Sequence, residues 1–340
     1  MAESGAGDSS SSATVNATVS ATVRGPRAVL RLMRPGDWLK NVFVLIPIIF
    51  YLAGQGQGIS SEEIWREVLA VAMAFISFCA ASSGFYAVND ALDHEEDRTH
   101  PVKRRRPVAS GAITPRAAFG IGFVLVAGAL ALAATVNVPL LVVLSLYALL
   151  QVFYNLKLKR VPFIDVAAIA LGFCLRAVAG AVAIPVSISI WLLLCVFFLT
   201  LYLGFIKRLC DLASVDNARA AGMVVPWKPR AGYSSRDELN WLLSLSGVMT
   251  LLMYLMYALS DHARRLFGDR AVGFALLSPF VIVVIHRFYR RANYGQSDSP
   301  LEIITQDRTV LVAVLLFIGG TVATLFVPQV SEFLRTLLYF

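Results

Sequence analysis

Apolar residues in this 340-residue chain gather into long runs almost free of charge, set apart by shorter polar stretches. Each run is about 18 to 25 residues long, which lets a helix rising 1.5 Å per residue cross roughly 30 Å of hydrocarbon. The pattern predicts nine spans, near 42–57, 66–88, 117–135, 138–155, 163–184, 188–206, 239–259, 271–288 and 309–328. Pro47 interrupts the first of them. The expected fold class is therefore all-α, a polytopic bundle of nine transmembrane helices.

Ahead of the first span, Pro26 to Trp38 mixes basic and apolar residues as a helix lying on a membrane surface would, with Arg27, Arg31 and Arg34 toward water. Residues 1 to about 25 are rich in Ser, Ala, Thr and Gly and lack the basic start and apolar core of a signal peptide. The expectation is a disordered tail followed by one transmembrane catalytic domain over 26–340. Similar charged endings of the spans that close at Asn89 and at Lys207 suggest a distant internal repeat.

Composition agrees with the pattern. With 57% hydrophobic and 15% charged residues and a mean hydropathy of +0.69, the chain has too little polar surface to coat a soluble globule. Its formal net charge of +8 is distributed unevenly. Of the 30 Lys and Arg residues, one side of the predicted topology keeps only Arg66, Arg264, Arg265, Arg270 and Arg335, and Arg176 falls within a span. Positive charge is retained on the cytoplasmic side. This predicts a multi-pass protein of the inner (plasma) membrane, with a cytoplasmic N-terminus, an external C-terminus and a working cavity facing the cytoplasm. The charge is topological and implies no nucleic acid as partner, although a basic face of this kind also attracts anionic lipid. Cys79, Cys174, Cys195 and Cys210 show no CxxC spacing and are expected as free thiols. A homo-oligomer is left open.

The chemistry concentrates where the second span ends, in Asn89-Asp90-Ala-Leu-Asp93-His-Glu-Glu-Asp97. Continued as helix, this pattern puts Asn89, Asp90, Asp93 and Asp97 within one sector of about 100°. Three carboxylates so close repel one another unless a cation neutralises them. All-oxygen ligands point to Mg²⁺ or Ca²⁺, and Mg²⁺ characteristically completes its shell with substrate phosphates. Asp90, Asp93 and Asp97 are the candidate catalytic residues, with Asn89 as a further metal ligand. A solvated acidic turn is the plain alternative. The Arg98–Gly111 stretch that follows is strongly basic and includes Lys103 and Arg106 between Pro101 and Pro107, suited to gripping a magnesium diphosphate, although a purely topogenic role would select the same charges.

Cations recur at other span ends, in Tyr154-Asn-Leu-Lys157-Leu-Lys159-Arg160 and in Lys207-Arg208-Leu-Cys-Asp211. Lys207, Arg208 and Asp211 share a helix face, so the cations suit phosphate while Asp211 orients Lys207 or holds a second metal; a surface ion pair is the bland alternative. Arg176, a charge inside a span, either touches a phosphate or pairs with Asp165. Lys40, Lys103, Arg106, Tyr154, Lys157, Lys159, Arg176, Lys207, Arg208 and Asp211 form the candidate phosphate-binding set.

These residues resemble the UbiA-type intramembrane prenyltransferase superfamily, whose N-D-x-x-D-x-x-x-D motif is matched at Asn89, Asp90, Asp93 and Asp97. Within it, Arg34-Pro-Gly-Asp-Trp38-Leu-Lys40-Asn41, His100-Pro-Val-Lys103-Arg-Arg-Arg106-Pro and Lys207-Arg208-x-x-Asp211-Leu212 are similar to the decaprenyl-phosphate phosphoribosyltransferase subgroup. Asp37 stands where that subgroup suggests Gln, and Asp211 where it suggests Glu. The superfamily's second motif, D-x-x-x-D, is not met, because Asp211 and Asp216 are five apart. The resemblance implies a UbiA-type helical bundle with Mg²⁺ as cofactor, transferring 5-phosphoribose from phosphoribosyl diphosphate (PRPP) to decaprenyl phosphate with release of pyrophosphate. It further implies a step toward cell-wall arabinan. The lipid phosphate is already an anion, so no strong base is needed, and only His94 and His100 lie near the motifs. The alternatives are a Mg-dependent prenyl transfer to an aromatic acceptor in quinone biosynthesis, and a transporter, which the one-sided clustering of charge disfavours.

Overall fold

The computed structural model describes residues 25–54, 60–99, 102–220, 222, 232–233, 235–294 and 300–327, with isolated positions beyond. The expected tail thus lies outside the described residues but for Gly25, as does His100. Every regular element among the described residues is a helix. They are α1 (Pro26–Met33), α2 (Ile46–Gly54), α3 (Ser61–Leu92), α4 (His94–Thr99), α5 (Pro115–Val136), α6 (Val138–Leu156) and α7 (Ile164–Ala183). After these come α8 (Ile190–Ala220), α9 (Arg236–Ala258), α10 (Asp261–Phe267), α11 (Ala271–Leu276), α12 (Ser278–Asn293), α13 (Pro300–Gln306) and α14 (Arg308–Phe326). Short 3₁₀ turns cover Pro35–Val44, Lys103–Arg105, Leu158–Arg160 and Gly268–Arg270.

Eight helical stretches of the described chain are long and apolar enough to cross a membrane, and nine if the bent Asp261–Leu276 and Ser278–Asn293 pair counts as one. The chain is a multi-pass membrane protein, as its apolar runs predict. Many helix starts are written locally. Ser60 and Glu63 form a reciprocal capping box on α3, and the side chains of Thr114, Asn137, Ser235 and Asp307 accept backbone N–H groups at the starts of α5, α6, α9 and α14.

Two expected spans are irregular. The first is 3₁₀ over Pro35–Val44 and α-helical only from Ile46, with Pro47 tolerated in the first turn of α2, where a missing N–H costs nothing. The eighth breaks at Leu277, because Pro279 opens α12 and its ring cannot continue α11, and the bent pair meets at 45°.

Of the four clusters of buried apolar residues among the described ones, two are joined by α7. One packs α3, α5, α6 and α7 around Phe78, Leu144 and Tyr147, and the other packs α7, α8, α9 and α12 around Tyr202, Phe205 and Phe288. Close approach of backbone to backbone depends on glycine at two places among the described residues. A Cβ on Gly84 or Gly122 would lie 2.8 Å from the other's carbonyl oxygen, so α3 and α5 touch backbone to backbone. At Gly180 a Cβ would sit 2.0 Å from the Val44 carbonyl oxygen. Gly180→Ala is therefore expected to push the 3₁₀ segment off α7 and cost about 1–3 kcal/mol, seen as a lowered melting temperature in detergent. Gly120→Ala, with nothing within 4 Å, is the neutral control.

Candidate active site

At one end of the bundle, α3 closes on the aspartate motif, and the motif is not one continuous helix. Asp93 caps α3 with φ −95° and ψ 7°, and Asp97 lies on the separate helix α4. The single sector expected for the four side chains is broken there. Each carboxylate instead meets a cation delivered by a different segment.

Asp90 is 1% exposed and accepts from Arg34 and, at 3.2 Å, from Arg106. Asp97, also buried, accepts from Arg106 at 2.7 Å and lies 4.0 Å from the Lys103 ammonium. Lys159, itself buried, donates to both Asp93 oxygens at 2.6 and 2.8 Å and to Asn89 Oδ1 at 3.1 Å. Four cations thus surround three carboxylates, which leaves the cluster with an excess of positive charge suited to an anion.

Among the described residues no three carboxylates converge closely enough to hold a metal by themselves. The donor chemistry nevertheless fits Mg²⁺. Asp90 Oδ2 is buried with no hydrogen-bond partner, and a buried acceptor without a donor is what a cation satisfies. Mg²⁺ needs only one or two protein carboxylates when substrate phosphates supply the rest.

Arg34 was expected toward water with Arg27 and Arg31, which are exposed. The structure turns it inward. Arg34 has φ 51°, a left-handed conformation uncommon for a long side chain, in the position before Pro35 where the right-handed helical region is disfavoured. Its guanidinium reaches Asp90 and lies 4.8 Å from the centre of the Tyr86 ring. Lys40 pairs with Asp37 and sits 3.4 Å from the Tyr86 hydroxyl. Tyr86, one turn before Asp90, therefore links Lys40 to the cluster. Arg34 and Tyr86 were missed as site residues. The RPGDW stretch beside Lys40 was the available signal.

A second charged cluster lies where α7 starts, six residues beyond Lys159. Asp165 is fully buried, accepts from Arg208 at 2.9 Å and from the Tyr233 hydroxyl at 2.9 Å, and the same hydroxyl accepts the Phe163 N–H. Arg208 also reaches Asp211 at 3.2 Å, and Lys207 lies 3.8 Å from Asp211 in the surface pair weighed as the bland alternative. Tyr154 is half-buried and near enough to act on the Arg208 charge; Lys157 is exposed.

Asp165 does not pair with Arg176. That arginine is 5% exposed and donates to Asn41 at 2.7 Å, to the Gly172 carbonyl at 2.9 Å and to the Tyr147 hydroxyl at 2.9 Å. Its guanidinium lies 4.7 Å from the Tyr147 ring centre. Asn41 in turn donates to Ser82, which places Arg176 about 12 Å down α3 from Asp90 at 1.5 Å per residue, so the structure does not bring it to the acidic motif.

Phe163, like Arg34, is left-handed, with φ 66°. These are the two such residues other than glycine among the described ones, and each is held by a charged cluster. Burial pushes the Tyr233 phenol well above its ordinary range, outweighing the Phe163 N–H that lowers it, so Tyr233 remains a neutral donor. Tyr233→Phe is expected to leave an Asp165 oxygen and the Phe163 N–H unpaired and to cost about 1–3 kcal/mol, measured as loss of thermal stability.

Residues 44–301 match the UbiA prenyltransferase family. The chain belongs to that family. The resemblance carried by the aspartate motif is thereby borne out. The UbiA member described here is 31% identical over 304 residues to a decaprenyl-phosphate phosphoribosyltransferase of Mycolicibacterium smegmatis, covering 88% of this chain and 92% of that one. It is 32% identical over 293 residues to the enzyme of that name from Mycobacterium tuberculosis, covering 86% and 92%. Its fold is that of a UbiA homolog from Archaeoglobus fulgidus bound to GPP and Mg²⁺, with a TM-score of 0.61 at 20% identity over 88% of this chain and all of the other. The all-α UbiA-type fold expected from the sequence is the one observed.

Proposed function

We propose that this UbiA-family protein transfers 5-phosphoribose from phosphoribosyl diphosphate to decaprenyl phosphate, giving decaprenylphosphoryl-5-phosphoribose and pyrophosphate, as a precursor step for cell-wall arabinan. The observation that carries this reading is the cluster itself. Arg34, Lys103, Arg106 and Lys159 outnumber Asp90, Asp93 and Asp97, and Lys40 stands beside them. A donor with a diphosphate and a further phosphate asks for more cations than a prenyl diphosphate does. The names borne by relatives matched over nearly their whole length support the same substrates.

Asn89, Asp90, Asp93 and Asp97 would hold Mg²⁺, with Asp90 Oδ2 the first available ligand. When bound, the metal would neutralise charge growing on the leaving diphosphate. Arg106 and Lys103 then orient the diphosphate beside α4, and Lys159 fixes Asp93 and Asn89 in place. Breaking the C1–O bond leaves positive charge on the ribose, which the negative charge of the incoming lipid phosphate meets. The lipid phosphate attacks the opposite face as an anion, so no residue has to remove a proton and C1 inverts. Lys157 and the Lys207, Arg208, Tyr154 and Asp211 group are assigned to the acceptor head group or the 5-phosphate. In this reading residues 26–340 are one catalytic domain in the inner membrane and the site faces the cytoplasm, where the soluble donor is made.

Offering the purified protein both donor classes at once tests the choice of substrate. With phosphoribosyl diphosphate, geranylgeranyl diphosphate, decaprenyl phosphate and an aromatic acid all present, mass spectrometry should find only the lipid that has gained phosphoribosyl. A prenylated aromatic product would replace this reading.

A further inference from the structure

Away from the aspartate motif, the last turns of α12 carry a charged cavity that the proposed reaction does not use. Arg287, Arg290, Arg291 and Tyr294 line about 320 Å³ of open space. Their spacing of three, four and seven residues puts all four on one helix face. The neighbouring Phe288 and Ala292 are buried in the core that also holds Leu209, Cys210 and Tyr233. The cavity therefore opens at the same end of the bundle as the Arg208 cluster.

The arginines are already arranged. Asp307, 2% exposed at the start of α14, accepts from Arg287 at 2.7 and 3.1 Å and from Arg291 at 3.0 Å through a single oxygen, Oδ2. Its other oxygen caps α14 through the Thr309 and Val310 N–H groups. Burial alone would raise the Asp307 carboxyl, but the Arg287 and Val310 hydrogen bonds, with that of Arg291, hold it below its ordinary value, so it stays charged. One carboxylate thus fixes two guanidinium groups and leaves the three-arginine face with a net positive charge. Arg291 meets Asp307 through Nε, which leaves its two terminal nitrogens to a ligand. Arg290 is exposed and lies 5.8 Å from the Tyr294 ring centre.

Apolar surface lies directly beneath. One turn before Arg287, Val283 is 37% exposed, and one and two turns after Asp307, Leu311 and Leu315 are 40% and 59% exposed. In a membrane-spanning chain these side chains face lipid. An occupant matching both halves has an anionic phosphate head and hydrocarbon tails. Basic pockets between helices at the membrane surface bind such head groups.

We infer that the Arg287–Arg290–Arg291–Tyr294 cavity binds the phosphodiester head of an anionic phospholipid, whose acyl chains run over Val283, Leu311 and Leu315. A purely topogenic role asks only for positive charge on the face. It requires neither a cavity nor a buried carboxylate that aligns two of the arginines.

Native mass spectrometry of the full chain in detergent, titrated with phosphatidylglycerol or phosphatidylcholine, tests this. The wild type should retain one phosphatidylglycerol about tenfold more tightly than phosphatidylcholine. The double variant Arg290→Glu with Tyr294→Ala leaves the Asp307 pairs intact and should lose that preference. Arg116→Glu, an equal charge change at an exposed position on the same face, should keep it. Equal lipid retention by the double variant, or equal loss in Arg116→Glu, would overturn the assignment. So would displacement of the lipid by inorganic phosphate at about equal concentration, since the site would then be one for a soluble phosphate.

Discussion

Asp93→Ala is expected to reduce phosphoribosyl transfer by about 10²-fold to 10³-fold while the protein stays folded. Asp93 caps α3 through its backbone, which the substitution keeps, and its side chain is bonded only to Lys159 among the described residues. In the proposed reaction the loss should fall mainly on kcat, because the metal that Asp93 would hold acts on charge developing on the leaving diphosphate as the C1–O bond breaks. Side-chain exposure of 14% at Asp93, against 1% at Asp90, makes it the safer of the two to truncate. Steady-state rates with circular dichroism on the same sample separate chemistry from unfolding. Activity within threefold of wild type would remove Asp93 from the reaction.

Lys159→Met should have the second largest effect, with two opposite signs in one variant. The ammonium occupies both oxygens of Asp93, so it competes with any cation for them. Removing it is expected to lower kcat/KM by about 10²-fold, since Asn89 and Asp93 lose the group that orients them. The Mg²⁺ concentration giving half of the residual activity should fall at the same time, because the competing charge has gone. A variant that keeps the wild-type kcat/KM, or that needs more Mg²⁺ than the wild type, would contradict the role given to Lys159.

What the chain's pattern foretold, and where it fell short, follows from how far apart the interacting residues lie. The spans, the acidic motif and the basic character of Lys103, Arg106 and Lys159 are local properties, and composition and spacing display them. The pairing of Asp93 with Lys159 and the inward turn of Arg34 onto Asp90 join residues 66 and 56 positions apart, and no helical wheel contains them. Arg208 and Arg176 illustrate the limit from the other side. Both are cations near span ends or within them, and the sequence offered Asp165 to Arg176. Packing gives Asp165 to Arg208 and Tyr233, and leaves Arg176 with Asn41, Tyr147 and aromatic faces. Proline explains the irregular first and eighth spans, and Pro47 was visible as an interruption, but the 3₁₀ geometry that seats Val44 on Gly180 required the tertiary contact.

One measurement addresses phosphoribosyl transfer to a polyprenyl phosphate directly. Purified protein in nanodiscs would receive phosphoribosyl diphosphate labelled in the ribose, decaprenyl phosphate and Mg²⁺, with butanol-soluble label and released pyrophosphate counted together. Label is expected in the lipid phase, matched one to one by pyrophosphate and absent when decaprenyl phosphate is omitted. Pyrophosphate release without lipid label, or no consumption of the donor by folded protein, would contradict it.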